Sequence, residues 1–409
     1  MDPAPSSRPA HAGTIALVIG LAAVVWFTFL SGWMKATPGS VMTKRQNILF
    51  NSDTNIWLDR MVGDARSPEG LVHPMEIPLW RPPVQALRHL LELFMPADYA
   101  GIFAARLVVA LVHGAGVGFL AFLAFRMGVR LPQCILLFVI YSLFTSNVTA
   151  SLPEHFGISN GLLSIAFVVP ILLTSIGMKT AFLVIMVVLC GGTTITNCLY
   201  PLAAIWQYSF KSMRVRVAIL VAAIPLGLAA ALFLYMKSYV IHHFVNDYST
   251  FRLLHNPLSA CVHGVYTFLS PAVGPTPRIM REPGWDMVSY EPAHDVLRFS
   301  YYLGLQAFGA IAWFVLLFTC LAKALRQEAT RVYVWLPLGW VLFSAIFHNI
   351  WGDELLLFSP HWSWALMALV ILGARELSLK FVVFVFVPIV VSQLYTMFKI
   401  KSALETIYR

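Results

Sequence analysis

Long apolar stretches alternate with short polar segments along almost the whole chain. A helix needs about 20 predominantly apolar residues to cross a membrane, and a series of stretches approaches or reaches this length. They cover residues 15–34, 101–125, 133–149, 160–176, 180–197, 198–210, 217–236, 301–322, 332–350, 360–374 and 381–397. The pattern predicts an all-α polytopic membrane protein with about 10–11 transmembrane helices, whose backbone polar groups are paired within the helices.

Two large polar segments, 35–100 and 237–300, interrupt the apolar pattern. In the first, apolar residues recur at helical spacing on one face of 81–95, at Val84, Leu87, Leu90, Leu91 and Phe94. On the other face Arg88 and Glu92 are four residues apart and can pair. This pattern is typical of a short helix lying in the membrane interface. The second segment is rich in proline, which favours an ordered but irregular loop.

Composition and charge narrow the class of protein. Apolar residues make up 59% of the 409 residues, charged residues 11%, and the mean hydropathy is +0.75, which is more apolar side chain than a soluble core can bury. The net charge of +9 does not indicate a nucleic-acid partner, because the basic residues lie in short runs between spans. These runs contain Arg126, Arg130, Lys211, Arg214, Arg216, Lys323, Arg326, Arg331, Arg375 and Lys380.

Basic loops mark the cytoplasmic side of a membrane protein. With the N-terminus inside, all of these basic runs are cytoplasmic. The segments on the opposite face are then 35–100, 150–159, 237–300 and 351–359. We expect residues 1–14 to form a disordered cytoplasmic N-terminus, residues 15–397 a single transmembrane domain and residues 398–409 a short tail. The first span is interpreted as a retained helix, because no small-residue cleavage pattern follows it.

Several kinds of site have no sequence signal. The five cysteines have no metal-ligand spacing and indicate no disulfide framework. The chain has no Gly-rich phosphate loop, no Walker motif and no His/Cys metal motif, which argues against nucleotide-driven transport. No resident cofactor is indicated, although a divalent cation stays possible at an acidic cluster.

Five polar clusters with side chains able to do chemistry fall on the predicted outer face. They are Asn51-Ser52-Asp53, His73-Pro74, Pro153-Glu154-His155, Thr196-Asn197, and Asp353-Glu354 with His361. Acids and histidines at one interface, between many spans, indicate that something is bound or transformed there.

Two acids are the candidate catalytic residues. Asp53 can act as a general base or bind a cation, and it can equally cap a short helix over 52–62. Glu154 lies in a short loop without Lys or Arg, where an acid near the bilayer is costly unless it has a partner or a role. It can also be a loop acid ahead of a helix capped by Ser159-Asn160.

The other candidates would contact a substrate. His361 is expected in the first turn of a helix that begins at Ser359-Pro360, where a phosphate and a sugar could bind; the alternative is an interfacial aromatic belt. Asn197 either serves the site or ties helices together. Arg278 and Arg281 can contact phosphate or simply solvate the surface. The remaining substrate-binding candidates are His73, Asp353 and Glu354.

This layout resembles the GT-C superfamily, multi-pass glycosyltransferases that use a polyprenyl-phosphate-linked sugar. The resemblance covers nearly the whole chain in layout and only a few residues in motifs. It implies a cytoplasmic N-terminus and interfacial helices in the first outer loop. An acid soon after the first span is implied to be the catalytic base, and here it is Asp53. Pro153-Glu154 looks like the Pro-Glu pair of bacterial members. The first outer loop has no tight acidic pair such as Asp-x-Asp, which argues against metal dependence. The Trp-Trp-Asp motif of the oligosaccharyltransferases is absent, which favours transfer of one sugar.

The resemblance implies an inverting transfer of a single sugar from the polyprenyl-phosphate donor to a lipid, glycan or protein acceptor. Asp53 would deprotonate the acceptor hydroxyl, and His361, Arg278 and Arg281 would stabilise the leaving phosphate. We expect a bacterial inner membrane location with the site facing the periplasm or exterior. The alternatives are a flippase or secondary transporter for a lipid-linked or anionic solute, an acyl- or phosphotransferase, and last a structural scaffold.

Overall fold

The computed structural model describes residues 11–35, 54–63, 73, 76–209, 264–282, 285–289, 302, 304–350 and 355–407. Helices account for most of these residues, and seven of the described helices are long and apolar enough to cross a membrane. The predicted α-helical, multi-pass membrane protein is therefore confirmed at this level.

The first described helices are α1 (Ala12–Lys35), α2 (Thr54–Met61), α3 (Glu76–Leu91), α4 (Ala97–Arg126) and α5 (Leu131–Ser142). The middle of the chain forms α6 (Thr145–Ala150), α7 (His155–Leu172), α8 (Ile176–Thr193), a 3-10 turn (Ile195–Cys198) and α9 (Leu199–Ser209). After a short helix over 264–269 come two strands, β1 (Arg278–Glu282) and β2 (Trp285–Ser289). The last helices are α10 (Leu305–Arg326), α11 (Glu328–Ile350), α12 (Leu355–Phe358), α13 (Pro360–Ala374) and α14 (Leu379–Ile407).

The candidate spans are α1, α4, α7, α8, α10, α11 and α14, while α5 and α13 are apolar but shorter. The predicted span 133–149 is wrong as one helix, because the chain breaks at Leu143 and Phe144 into α5 and α6. The polar residues of α6 are fully buried, and its Ser146 N–H donates to Pro271 O at 3.0 Å. A straight helix would leave that loop carbonyl without this donor.

Helix α4 packs between α1 and α7. Gly20 of α1 lies against Gly114 and Gly118 of α4, and Gly32 lies against Arg106, so α1 and α4 are antiparallel. Val109 of α4 lies against the start of α7, and further along a Cβ on Gly116 would sit 2.7 Å from Cα of Gly161, so these two helices are parallel. Glycine is required at such crossings because only it lets two backbones approach this closely.

Helix α13 is the centre of the second half of the bundle. All fifteen of its residues are buried, and it packs against α7, α10 and α11. A helix that is apolar on every side is expected to be enclosed by protein. This enclosure explains why α13 can be shorter than a span exposed to lipid.

The helix predicted over 81–95 begins earlier than its apolar spacing indicates, at Glu76, and includes Pro82 and Pro83 in its first half. The predicted pair is present, with Arg88 Nε donating to Glu92 Oε1 at 2.7 Å. Only part of the predicted apolar face packs on the bundle: Val84 is buried, whereas Leu90 is 55% exposed. The second predicted short helix, 52–62, is present as α2.

Three further segments differ from expectation. The first is 1–14, predicted to be disordered, because α1 begins at Ala12. The loop 237–300, predicted to be irregular, contains the antiparallel hairpin β1–β2 with Glu282 paired to Trp285. A two-residue connection with a Pro-Gly sequence favours a hairpin, a local signal that the many prolines nearby concealed. Helix α14 continues to Ile407, so most of the predicted tail, 398–409, is part of a helix.

We expect Gly116→Val to lower the free energy of unfolding by about 1–3 kcal/mol, because the added side chain forces α4 away from α7. Thermal unfolding of the purified protein measures the change. Gly339→Val is the matched control, since a Cβ at that helical glycine meets nothing within 4 Å. Equal loss of stability in both variants would contradict the close helix crossing.

Candidate functional site

Four candidates selected from sequence lie together at one end of the helix bundle. Glu154 precedes α7, Asn197 lies in the turn after α8, His361 is in the first turn of α13, and His73 lies in the segment between α2 and α3. His155, the first residue of α7, completes the group. We call this end of the bundle the site end, and we call His73, His155 and His361 the histidine cluster.

The three imidazoles of the histidine cluster are close neighbours. The ring centroids of His73 and His155 are 4.1 Å apart, and those of His155 and His361 are 5.9 Å apart. His155 and His361 are each only 6% exposed. Phe156 closes one side, with its ring centroid 5.4 Å from that of His361. The cluster is thus a compact group of titratable rings in which His155 and His361 are buried and His73 is half-buried.

Asn160 positions the two helices that carry His155 and His361. Its Nδ2 donates to Pro360 O at 2.9 Å and to Ser363 Oγ at 2.8 Å, while Tyr141 Oη donates to its Oδ1 at 2.9 Å. These bonds join α5, α7 and α13. The predicted alternative in which Ser159 and Asn160 cap the helix after Glu154 is wrong for a different reason. The helix begins at His155, and both residues lie one turn inside it.

His73 is attached to the last residue of α8. Its Nδ1 lies 2.7 Å from Thr193 O, and since a carbonyl only accepts, this nitrogen carries the proton and donates. Trp80 Nε1 donates to Thr193 Oγ1 at 3.0 Å, so one threonine holds both the loop histidine and the start of α3. With its proton on Nδ1, neutral His73 keeps an unshared electron pair on Nε2.

His361 has the opposite tautomer. Asn197 Nδ2 lies 3.0 Å from His361 Nδ1, and since an amide nitrogen only donates, Nδ1 accepts and Nε2 carries the proton of the neutral ring. The His361 carbonyl accepts from Trp340 Nε1 at 2.7 Å and from Trp364 Nε1 at 2.9 Å. Among the described residues, the cluster thus contains one ring with a free acceptor nitrogen, His73, and one with a free donor nitrogen, His361.

Glu154 brings a carboxylate to the cluster. It is 2% exposed, and its Oε1 lies 3.6 Å from His155 Nδ1. It occupies the N-cap position of α7 without a side-chain hydrogen bond to the helix. A carboxylate beside an imidazole can accept a proton from it or hold it in one orientation.

Sequence reasoning missed a buried ion pair near the cluster. Arg60 Nη1 donates to Glu76 Oε2 at 2.9 Å, and the two side chains are 5% and 1% exposed. The pair joins α2 to α3. Neither residue belongs to a recognisable motif, and their contact across sixteen positions depends on the fold. The sequence predicted only that Arg60 lies in a short helix over 52–62, and it gave no signal of the pairing with Glu76.

The pKa of His73 is lowered from 6.5 to about 4. Removal of the ring from water is the largest cause, because it disfavours the charged imidazolium. The hydrogen bond to the Thr193 carbonyl opposes this shift, and the positive charge of Arg60 adds to it. His73 is therefore neutral at pH 7.

Of the other candidates, only Arg278 has a side chain that the structure describes. Asp53, Asp353, Glu354 and the side chain of Arg281 lie outside the described residues. Arg278 is exposed on β1, and the hairpin packs against α14.

The predicted start of α13 at Ser359-Pro360 is confirmed, although Ser359 Oγ donates to Leu356 O instead of capping the helix. The aromatic belt is wrong, because Trp362 and Trp364 are completely buried. Four cysteines are buried and unpaired, as expected, while Cys261 is outside the described part of the chain.

Among the described residues, no three or more His, Cys, Asp and Glu side chains are arranged to hold a metal ion. Comparison of the chain with models of known families, with curated proteins and with solved structures gives no match.

We expect the free energy of unfolding to fall as the pH is lowered from about 6.5 to about 4. In this range the unfolded chain, with a His73 pKa of 6.5, binds a proton that the folded protein, with a pKa of about 4, does not bind. Above and below the range both states bind equally, and the slope from this residue vanishes.

Denaturant unfolding at several pH values measures this slope. His73→Gln should make it shallower than in the wild type. His11→Gln, at an exposed position just ahead of α1, is the control for the removal of one histidine. An unaltered slope in His73→Gln would contradict the neutral, shielded state of His73.

Proposed function

We propose that this chain is a membrane glycosyltransferase of the GT-C type that transfers one sugar from a polyprenyl-phosphate donor at the site end of the bundle. The observation that supports this proposal best is the meeting of His73, Glu154, Asn197 and His361. They come from four separate parts of the chain, and each was selected from the sequence for its chemistry. Their convergence is expected of a reaction site and has no equivalent need in a scaffold.

The chemistry of the group fits an inverting displacement. The acceptor hydroxyl must lose a proton as it attacks the anomeric carbon, and Glu154 and the free Nε2 of His73 are proton acceptors. The departing phosphate needs donors, and the Nε2–H of His361 is one. Asp53 stays the base that the family resemblance implies, although it lies outside the described residues. The acceptor is a lipid, a glycan or a protein.

The position of acidic residues favours an enzyme over the transport alternative. A proton- or ion-coupled carrier is expected to place carboxylates deep inside its spans. In the seven candidate spans the acidic residues lie only near helix ends, at Asp98, Glu328 and Glu405. The carboxylate of the site, Glu154, lies where α7 begins.

We expect Glu154→Gln to lower kcat by about 10²–10⁴-fold, the usual contribution of a positioned general base. The assay follows sugar transfer in membranes from a radiolabelled polyprenyl-phosphate sugar pool. Glu92→Gln removes an acid in the turn after α3 that is paired with Arg88; it is the matched control and should retain wild-type kcat. Asp53→Asn, tested in parallel, decides which carboxylate is the base.

Full turnover in Glu154→Gln together with loss in Asp53→Asn would remove Glu154 from the chemistry and retain the enzyme. Wild-type membranes without turnover on any polyprenyl-phosphate sugar would contradict the proposed function. For each protein, wild type or variant, the elution volume in size-exclusion chromatography shows whether a loss of turnover comes from a folding defect.

The proposal places the site end on the outer face of a bacterial inner membrane. Helix α11 connects the two ends of the bundle and so offers a test of this orientation. His348, near its C-terminal end, stacks on Phe358 at the site end, with ring centroids 4.9 Å apart. Its first turn, with exposed Ala329, is therefore at the opposite end of the bundle. Exposed His89 is on α3, which is attached to the site end through Trp80.

We expect a cysteine at position 89 to react with an impermeant maleimide added to intact cells, and a cysteine at position 329 to react only after lysis. Cys261 is replaced by serine in both, since the other four cysteines are buried. Labelling of position 329 in intact cells, with position 89 protected, would reverse the proposed orientation.

A further inference from the structure

Arg106 is a charged residue inside one of the candidate spans, α4. Its Nη2 donates to Thr28 O of α1 at 2.6 Å. Gly32 provides the space for the guanidinium, because a Cβ at that position would overlap Nη2. The Arg106 side chain therefore lies in the groove between α1 and α4.

This guanidinium lacks an anion in the part of the chain that the structure describes. None of the described carboxylates is within ion-pair distance of Arg106, and its Nε is buried without a hydrogen-bond partner. Its other neighbour is the ring of Phe103, 5.7 Å from the guanidinium carbon. Arginine stays charged at every physiological pH, and a charge held at membrane depth is costly unless an anion or water reaches it.

The depth of Arg106 corresponds to the membrane surface at the site end. Since α4 and α7 run parallel with Val109 beside Gly157, Arg106 is level with Glu154, where α7 begins. A long basic side chain near the end of a span reaches the headgroup region. On the adjacent α1, Val25 and Phe29 are 70% and 56% exposed, as expected of a surface that contacts acyl chains.

We propose that the groove between α1 and α4 binds the phosphate group of an anionic phospholipid in the leaflet at the site end, and that Arg106 is its binding residue. The fork of N–H donors on arginine fits phosphate oxygens. The exposed apolar side chains beside the guanidinium select a phosphate that carries acyl chains over a free one. This site is separate from the histidine cluster and does not depend on the proposed transferase activity.

Native mass spectrometry of the purified full-length protein tests the proposal, with phosphatidylglycerol and phosphatidylcholine added in parallel titrations. Wild type should bind phosphatidylglycerol about tenfold more tightly than phosphatidylcholine, and Arg106→Gln should remove this preference. Arg106→Lys, which keeps the charge and loses the fork, should fall between them. Arg88→Gln is the control, because Arg88 is paired with Glu92, and it should bind as wild type does.

Two further measurements keep the proposal open to refutation. Gly32→Ala crowds the guanidinium without changing any charge, so it should also weaken phosphatidylglycerol binding even if Arg106→Gln does not fold. Inorganic phosphate alone should not displace the lipid at concentrations up to about a hundredfold excess. Unchanged lipid preference in Arg106→Gln and Gly32→Ala, or ready displacement by inorganic phosphate, would overturn the proposal.

Discussion

The hydrogen bonds of Asn160 are the interaction on which the arrangement of the site end depends. In a bundle surrounded by lipid, a buried amide must find its partners within the protein. Asn160 finds them on Tyr141, Pro360 and Ser363, which are residues of two other helices. The starts of α7 and α13 are thereby fixed to each other, and with them His155 and His361. Loss of this amide would leave several buried groups unpaired at once.

A backbone carbonyl, a side-chain amide and two indoles, rather than charges, orient His73 and His361. Thr193 O holds His73, Asn197 Nδ2 holds His361, and two indoles hold the His361 carbonyl. The rings are consequently fixed in different tautomers, one with a free acceptor nitrogen and one with a free donor. Such a pair can accept a proton at His73 Nε2 and donate a hydrogen bond from His361 Nε2–H.

The same lipid environment explains why the buried charges of Arg60 and Glu76 are paired within the protein, whereas Arg106 lies near the end of its helix. The Arg60–Glu76 pair is enclosed between α2 and α3, where each charge compensates the other. Arg106 instead lies level with Glu154 at the site end, where the proposed phospholipid would supply its counterion. The helix surfaces between these points are apolar and exposed, as contact with acyl chains requires.

The sequence by itself determined the class of the protein and most members of its candidate site, because exposing polar groups to lipid has a large free-energy cost that shapes the choice of residue at each position. That cost marked the spans, the start of α13 at Pro360 and the polar residues His73, Glu154, Asn197 and His361. The tertiary structure alone decided that α5 stops at Ser142, that α13 is enclosed, and that Thr193 and Asn160 orient the histidines. Those features depend on contacts between residues far apart in the chain, and helical periodicity and local composition carry no information about such contacts.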